Sequence, residues 1–211
     1  MSENMILYGF DGSTYVRTVR MLLAEKGAAY EQVHVNVLAG EPREPEHLAR
    51  HPFGKVPVLD HGDFRILETN AIARYLNDVL PGPGFVPDNP RDRARMDMAI
   101  GLFDAYGYMA LVGTAGYHLF PDFLGNPGPD FLARSIDEAH KVLTELMKIR
   151  GDSPFIAGDQ PSLADFYLAP ACFYVGLVED ADKVFCAPGF QEWWDRIQQL
   201  ECYRSTEPDL G

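Results

Sequence analysis

His51-Pro-Phe-Gly-Lys-Val-Pro-Val-Leu59, followed after a short turn by Leu67-Glu-Thr-Asn-Ala-Ile72, is the stretch whose reading decides the fold. Val58 and Leu59 lead into Asp60-His-Gly-Asp63, a polar turn, and Phe64 to Leu67 reads as the partner strand. Pro57 stands at the mouth of the first of these strands, where its missing N–H interrupts ladder pairing. It admits two readings. It is an ordinary turn proline, or it follows a cis bond that turns the N–H and C=O of Val56 outward, where an extended peptide could pair with them as an added strand. Past the second strand, Ile72, Tyr75, Leu76 and Val79 mark a helix. Thr69 either simply caps that helix, or the start of the helix receives a carboxylate while Glu68 receives an ammonium. In the second case one short site would hold both ends of an α-amino acid group.

Working outward toward the N-terminus, Met5 to Tyr8 is a short apolar strand bounded by Gly9 and Gly12. Tyr15, Val19, Leu22 and Leu23 give helical spacing up to Lys26, and Gly27 is placed to end that helix. Between them lies Gly9-Phe-Asp-Gly-Ser13-Thr14-Tyr15. A hydroxyl here sits at a helix N-terminus, where free N–H groups and the helix dipole favour an anion; the same residues also serve as a plain N-cap. Val33, Val35 and Val37 alternate with His34 and Asn36, a strand pattern. The order β-α-β-(helix or loop)-β-β-α predicts a small mixed α/β domain over residues 1–80.

Leu80-Pro-Gly-Pro-Gly-Phe-Val-Pro-Asp-Asn-Pro90 is too rich in Pro and Gly for helix or strand and reads as a linker over 81–90. Beyond it no strand pattern occurs, so residues 91–211 are expected to be all-α. Arg91 to about Phe120 is a long helical stretch with a bend expected near Gly113 or Gly116. Ile136, Ala139, Leu143, Leu146 and Met147 trace another helical face, and Ser162–Val178 and Phe190–Leu200 supply two more helices. Ser162 and Asp165 have capping-box spacing, with Pro161 and Phe166 placed as a staple, so this segment starts a core helix and does no chemistry. Trp193 and Trp194 are assigned to core packing of the last helix.

The chain of 211 residues is 46% hydrophobic and 23% charged, an ordinary globular composition. Its 31 acidic residues against 18 basic give a net charge of -13, which excludes a nucleic-acid binder and disfavours anionic membranes. No apolar run approaches the roughly 18 residues that span a bilayer, and Met1–Asn4 shows no leader pattern. Three cysteines without CxxC spacing suit a reducing, cytoplasmic setting. Phosphate-loop, nucleophile-elbow and zinc-protease motifs are absent. His47 and His51 lie four apart, but Pro52 tends to end a helix and no further ligand is evident, so they read as two solvated histidines and no metal is expected.

In this order, the hydroxyl after strand one, Pro-Phe-Gly-Lys-Val-Pro, Glu-Thr-Asn-Ala-Ile and Gly-Asp-Gln-Pro-Ser-Leu-Ala-Asp-Phe resemble the glutathione S-transferase family over nearly the whole chain. The resemblance implies a thioredoxin-like N-terminal domain joined to an all-helical C-terminal domain, and glutathione as co-substrate. It implies that Val56, beside a cis Pro57, pairs its backbone with the ligand's cysteinyl unit. Glu68 and Thr69 would hold the γ-glutamyl ammonium and carboxylate, and Lys55 and Arg43 would attract the glycyl carboxylate. Ser13, with Thr14 as runner-up, would donate to the glutathione sulfur and favour its thiolate. With no cysteine before Cys172, Ser13-Thr14 looks most like the serine-type phi and zeta classes, although Tyr15 and Val16 depart from the zeta pattern. Tyr8 lies about one residue out of register for a tyrosine-type donor.

The same resemblance implies an electrophile pocket walled by the first helix of the second domain, with Phe103, Tyr106, Tyr108, Met109 and Tyr117 and with Phe10 from the strand-one loop; some of these aromatics are core instead. Arg17 and Arg20 read as surface or interdomain ion-pair formers. The implied activity is conjugation of glutathione to small hydrophobic electrophiles by a homodimer. The alternatives are a glutathione-dependent peroxidase or isomerase, a non-catalytic glutathione or ligand binder, or a scaffold of the same fold.

Overall fold

In the computed structural model residues 4–209 are described; Met1–Glu3, most of the stretch read as showing no leader pattern, and Leu210–Gly211 lie outside the described residues. The chain divides into two compact units. One runs through Gly84 and regains the chain from Glu201 onward; the other is Phe85–Leu200. The division falls inside the expected 81–90 linker, and the segment from Glu201, read with the helical domain, groups with the first unit.

The first unit holds β1 (Met5–Tyr8), α1 (Thr14–Glu25), β2 (Glu31–Val33), α2 (Pro45–Leu48), β3 (Val58–His61), β4 (Phe64–Leu67) and α3 (Thr69–Val79). The sheet order is β2-β1-β3-β4, with β1 parallel to β2 and antiparallel to β3, and β3 antiparallel to β4. Leu7 faces Leu59, and both are fully buried. Tyr8 and Val58 are also paired, and they pack with Val35, Val33, Val56 and Leu67. Helices α1 and α3 pack together, and Lys26 joins their far ends by donating to the carbonyls of Asn77 and Leu80.

Two strand boundaries differ from the sequence reading. β2 stops at Val33 because β1 ends at Tyr8, and the next bond, from Gly9 N to Val33 O at 3.0 Å, exhausts its partner. Val35 still contributes to the core without being in a ladder. β3 extends through Asp60 and His61, which pair with Arg65 and Phe64, so the turn is only Gly62-Asp63. A two-residue connection suits a tight hairpin, and the polar side chains of Asp60 and His61 are compatible with a strand whose ends reach solvent.

The second unit contains α4 (Pro90–Leu102), a π-helical turn (Phe103–Gly107), α5 (Tyr108–Leu119), α6 (Pro129–Arg150), α7 (Leu163–Val175), α8 (Ala181–Phe185) and α9 (Phe190–Ile197). The irregularity in the first long helical run is the π turn, not Gly113 or Gly116. Those glycines are buried in regular helix. A Cβ on Gly113 would come within 2.9 Å of Ser135 Oγ, and one on Gly116 within 2.9 Å of a Leu124 methyl, so they permit close packing. The run Pro90–Leu119 is 30 residues long and meets the length and composition of a membrane span, although charged residues such as Asp97 and Asp104 interrupt it and no unbroken apolar run of that length occurs. Half of its most apolar part is buried within the protein, as in a core helix.

α7 is almost wholly buried, and its start is fixed by Asp165. Its carboxylate accepts from Ser162 N and Ser162 Oγ (2.8 Å each), Ile156 N (3.0 Å) and Trp193 Nε1 (2.8 Å). Phe166 packs on Phe85 at 4.9 Å between ring centroids, and Leu163 N donates to Phe85 O, so one linker residue is part of the core. Trp194 stacks with Phe190 and Trp193 packs against it at a tilt, both as core residues. Finally α10 (Glu201–Ser205), unforeseen in the sequence, returns to α1 in the first unit.

Candidate functional site

The first unit brings three segments of its own to bear: the β1–α1 loop, the loop before β3 and the β4–α3 junction. Gly9 has φ +153° and a Cβ on it would sit 2.4 Å from Val16 Cγ2, so glycine alone lets the chain leave β1 against α1. Asp11 then accepts from Gln32 Nε2 at 2.8 Å and pairs with Arg20 at 3.3 Å. Gln32 also donates to Gly9 O. This bracing sets Ser13 at the N-cap of α1, half-buried, with extended backbone. Its Oγ accepts from Val16 N at 3.3 Å, which leaves the hydroxyl proton available to donate. Thr14 is one residue further in, and its Oγ1 is buried with no partner. Sequence reasoning missed Asp11 and Gln32 because their partners are distant in the chain.

Tyr8 is turned elsewhere. Its hydroxyl donates to Asp60 Oδ2 at 3.2 Å and its ring lies under the guanidinium of Arg50 at 4.5 Å. Arg65 clasps Asp60 through two bonds of 2.7 Å, and this, ahead of burial, holds the Asp60 carboxyl below the usual carboxylate range. Arg17 is buried rather than at the surface: it donates to Tyr203 O at 2.8 Å and stacks on that ring at 4.5 Å. Burial inside the first unit, where α10 covers α1, is what the sequence could not reveal.

The Val56–Pro57 bond is cis. Among the described residues no hydrogen bond reaches the N–H or C=O of Val56, which lies just before β3 takes up its ladders. The loop is held from behind. Gly54 has φ +59°, and a Cβ there would approach Pro42 O to 2.7 Å, so the 3₁₀ turn Glu41–Arg43 can lie directly against it. His47 Nε2 donates to Lys55 O at 2.8 Å. Lys55 and Arg43 are both exposed.

His47 and His51 are 2% and 1% exposed, which overturns their reading as solvated histidines. They lie on and just after α2, packed under the loop that carries Val56, and act as structural hydrogen bonders. His51 Nδ1 accepts from Phe53 N at 3.3 Å, and its Nε2 lies 3.8 Å from Glu68 Oε1. Burial is the main cause that pushes the His51 imidazole below its ordinary pKa, with Glu68 opposing.

Glu68, not Thr69, occupies the N-cap of α3, and its side chain makes no cap bond. Its φ of +69° is rare for a residue with a Cβ and costs about 1–3 kcal/mol. Its side chain is 76% exposed, whereas Thr69 is buried. A carboxylate facing out beside free helix N–H groups suits a zwitterionic head group.

The aromatics expected at an electrophile pocket separate by burial. Phe103 is core, packed edge-on to Tyr108 and Tyr167. Tyr106 and Met109 are exposed, and Tyr108, Tyr117 and Phe10 are half-buried. The π turn is what swings Tyr106 outward while Phe103 points in. Among the described residues, metal-ligating side chains gather at His118, Glu179 and Asp180, with ligand atoms within 4.8 Å. Asp180 is committed there to His118 at 2.9 Å and Lys183 at 2.6 Å, an ion-pair cluster in the second unit.

Comparison with known proteins bears on the family of the whole chain. Residues 3–78 match the model for the glutathione S-transferase N-terminal domain, and residues 129–197 match that for the C-terminal domain. The chain is 30% identical to glutathione S-transferase F10 of Arabidopsis thaliana, over 87% of each protein. It is also 30% identical to a maleylacetoacetate isomerase of Rhizobium meliloti (strain 1021), over 99% of this chain and 98% of that one. Among solved structures, glutathione transferase F7 of Populus trichocarpa superposes with a TM-score of 0.85 at 26% identity, covering 96% and 97% of the two chains. A glutathione S-transferase-I bound with lactoylglutathione gives 0.84 at 26% identity, covering 97% and 98%.

Proposed function

The chain belongs to the glutathione S-transferase family and is an enzyme of that kind, and from this premise we propose that it conjugates the thiolate of glutathione to small hydrophobic electrophiles with Ser13 as the sulfur's hydrogen-bond donor. The single observation that carries the choice of donor is the state of two adjacent hydroxyls. Ser13 Oγ has used a lone pair on Val16 N and keeps its proton for an outside acceptor, whereas Thr14 Oγ1 is buried.

A free thiol titrates near about 8.5, so most of it is protonated at neutral pH. A donated O–H and the positive end of α1 favour the anion, each pKa unit amounting to about 1.4 kcal/mol. The unpaired N–H and C=O of Val56 offer the cysteinyl backbone two hydrogen bonds, as an added strand segment. Glu68 takes the ammonium and the N–H groups at Thr69 take the α-carboxylate of the γ-glutamyl unit. Lys55 and Arg43 attract the glycyl carboxylate, local cations that matter in a chain of net charge -13. Tyr106, which is exposed, and the half-buried Tyr108 and Tyr117 are the aromatics of the second unit left to meet an electrophile, while Phe103 is core.

The enzyme works as a cytoplasmic homodimer in this reading. A second reading, glutathione-dependent isomerisation, is favoured by the likeness to the maleylacetoacetate isomerase over almost the full chain; it uses the same thiolate. Retention on immobilised glutathione, with release by free glutathione, tests the site, and turnover of an aryl halide against a cis-dienoic acid separates the two reactions. A protein that neither binds the column nor turns over either substrate would refute both.

A further inference from the structure

We propose that His51 is a positioning residue for the ammonium end of glutathione: its Nε2–H steers the Glu68 carboxylate, and protonation of the ring weakens glutathione binding. The inference rests on the reading of Glu68 as the ammonium acceptor and adds a residue that does not touch the ligand.

The tautomer follows from the bonds. Nδ1 accepts from Phe53 N, so the neutral ring carries its proton on Nε2. That proton faces Glu68 Oε1 across 3.8 Å. The distance is longer than a hydrogen bond, so the resting contact is between a charge and an N–H dipole, and a small rotation of Glu68 closes it. The ring itself cannot move to meet it, being 1% exposed, hydrogen-bonded to Phe53 N and packed edge-on to Phe53 at 6.2 Å. Glu68 is otherwise exposed, held on a positive-φ backbone with no cap bond of its own. His51 is thus a fixed donor beside a mobile carboxylate. With one oxygen directed to the ring, the other is left to the ligand's ammonium.

Three groups face the ring: Glu68 from the β4–α3 junction, His47 from α2 and Lys55 from the loop between α2 and β3. Burial together with His47 and Lys55 keeps the imidazole neutral at pH 7, against the pull of Glu68. Below the depressed pKa the ring becomes a cation next to Glu68. It then competes with the ligand's ammonium for the same carboxylate, and glutathione affinity falls as the solution is acidified.

The test is KM for glutathione, kcat and calorimetric glutathione affinity from pH 5 to 8 for the wild type, His51→Asn, His51→Gln and Glu68→Gln. Asn keeps an acceptor for Phe53 N but cannot reach Glu68; Gln reaches it but does not titrate. The expected result is a wild-type KM that rises about tenfold between pH 7 and 5, the size of an ordinary coupling. His51→Asn should raise KM at pH 7 by about 5- to 20-fold with a smaller effect on kcat, on the scale of one charge-assisted contact. His51→Gln should recover most of the affinity while losing the acid limb. An acid limb that persists in His51→Gln, or a wild-type KM and pH profile in His51→Asn, overturns the inference. Should His51→Asn fail to fold, His51→Gln decides by its pH profile alone. If Glu68→Gln binds glutathione as the wild type does, the ammonium reading itself fails and takes this inference with it; weakened binding in Glu68→Gln with wild-type behaviour in both histidine variants refutes the inference alone.

Discussion

Replacing Ser13 by alanine removes two interactions of different kinds, and their sizes can be separated. The first is the cap on α1. Ser→Ala at an N-cap costs about 0.5–2 kcal/mol, and the 3.3 Å bond to Val16 N is long for such a contact, which places this one near the lower end. A loss of about 0.5–1 kcal/mol lowers the Tm of a chain this size by about 1–4 °C. The second is the donor to the sulfur. Loss of one preorganised donor to a developing or resident anion lowers kcat by about 10- to 1000-fold. The alkaline rise of kcat/KM then moves up by about one pH unit or more, because the bound thiol has lost what held its anion. Ser13→Asp tells the two apart. It restores a cap oxygen, so Tm returns to within about 1 °C of the wild type, but it sets a carboxylate beside the sulfur and activity falls at least as far as in Ser13→Ala. The assay is aryl-halide turnover across pH with thermal melts on the same samples. A wild-type rate and pH profile in Ser13→Ala, with the loss appearing in Thr14→Ala, would show that the buried hydroxyl is the donor and that the argument from Val16 is wrong.

Other expectations follow from the packing. Asp165→Ala leaves Ile156 N, Ser162 N and Trp193 Nε1 without their acceptor inside the core. Burial pushes the Asp165 carboxyl up, so some of the gross hydrogen-bond energy is offset, and the net loss should be about 3–5 kcal/mol. Urea unfolding followed by tryptophan fluorescence should show a lowered midpoint at unchanged slope; a loss under about 1 kcal/mol would mean the network is dispensable. Of the three free cysteines only Cys186 is exposed. Burial raises the thiols of Cys172 and Cys202, so a thiol reagent should modify Cys186 alone in the folded protein and the other two after denaturation. Rapid reaction of more than one thiol in the native state would contradict the burial described.

Local chemistry made much of this protein legible in advance. The hairpin after Pro57, the helix after Glu68 and the Ser162–Asp165 box each depend on residues a few positions apart, where spacing alone sets which side chains meet. The residues that hold the site together were illegible for the opposite reason. Asp11 meets Gln32 and Arg20, Tyr8 meets Asp60, and Arg17 meets Tyr203, pairings between segments that only folding brings together. His47 and His51 looked solvated because Pro52 and the lack of a third ligand left them no role in the sequence; in space they lie beneath the loop that they brace.

The amino-acid order by itself determined the class of the longer elements, the break in composition near residue 80 and the set of candidate polar groups, but not the short helices α2, α8 and α10. It could do so because helix period, strand period and turn residues act over a few bonds. Which of two adjacent hydroxyls is buried, which aromatic of the π turn is exposed, and whether the imidazole at position 51 lies near a carboxylate were decided only by the tertiary structure. Burial and partner geometry set those properties, and both depend on segments far apart along the chain.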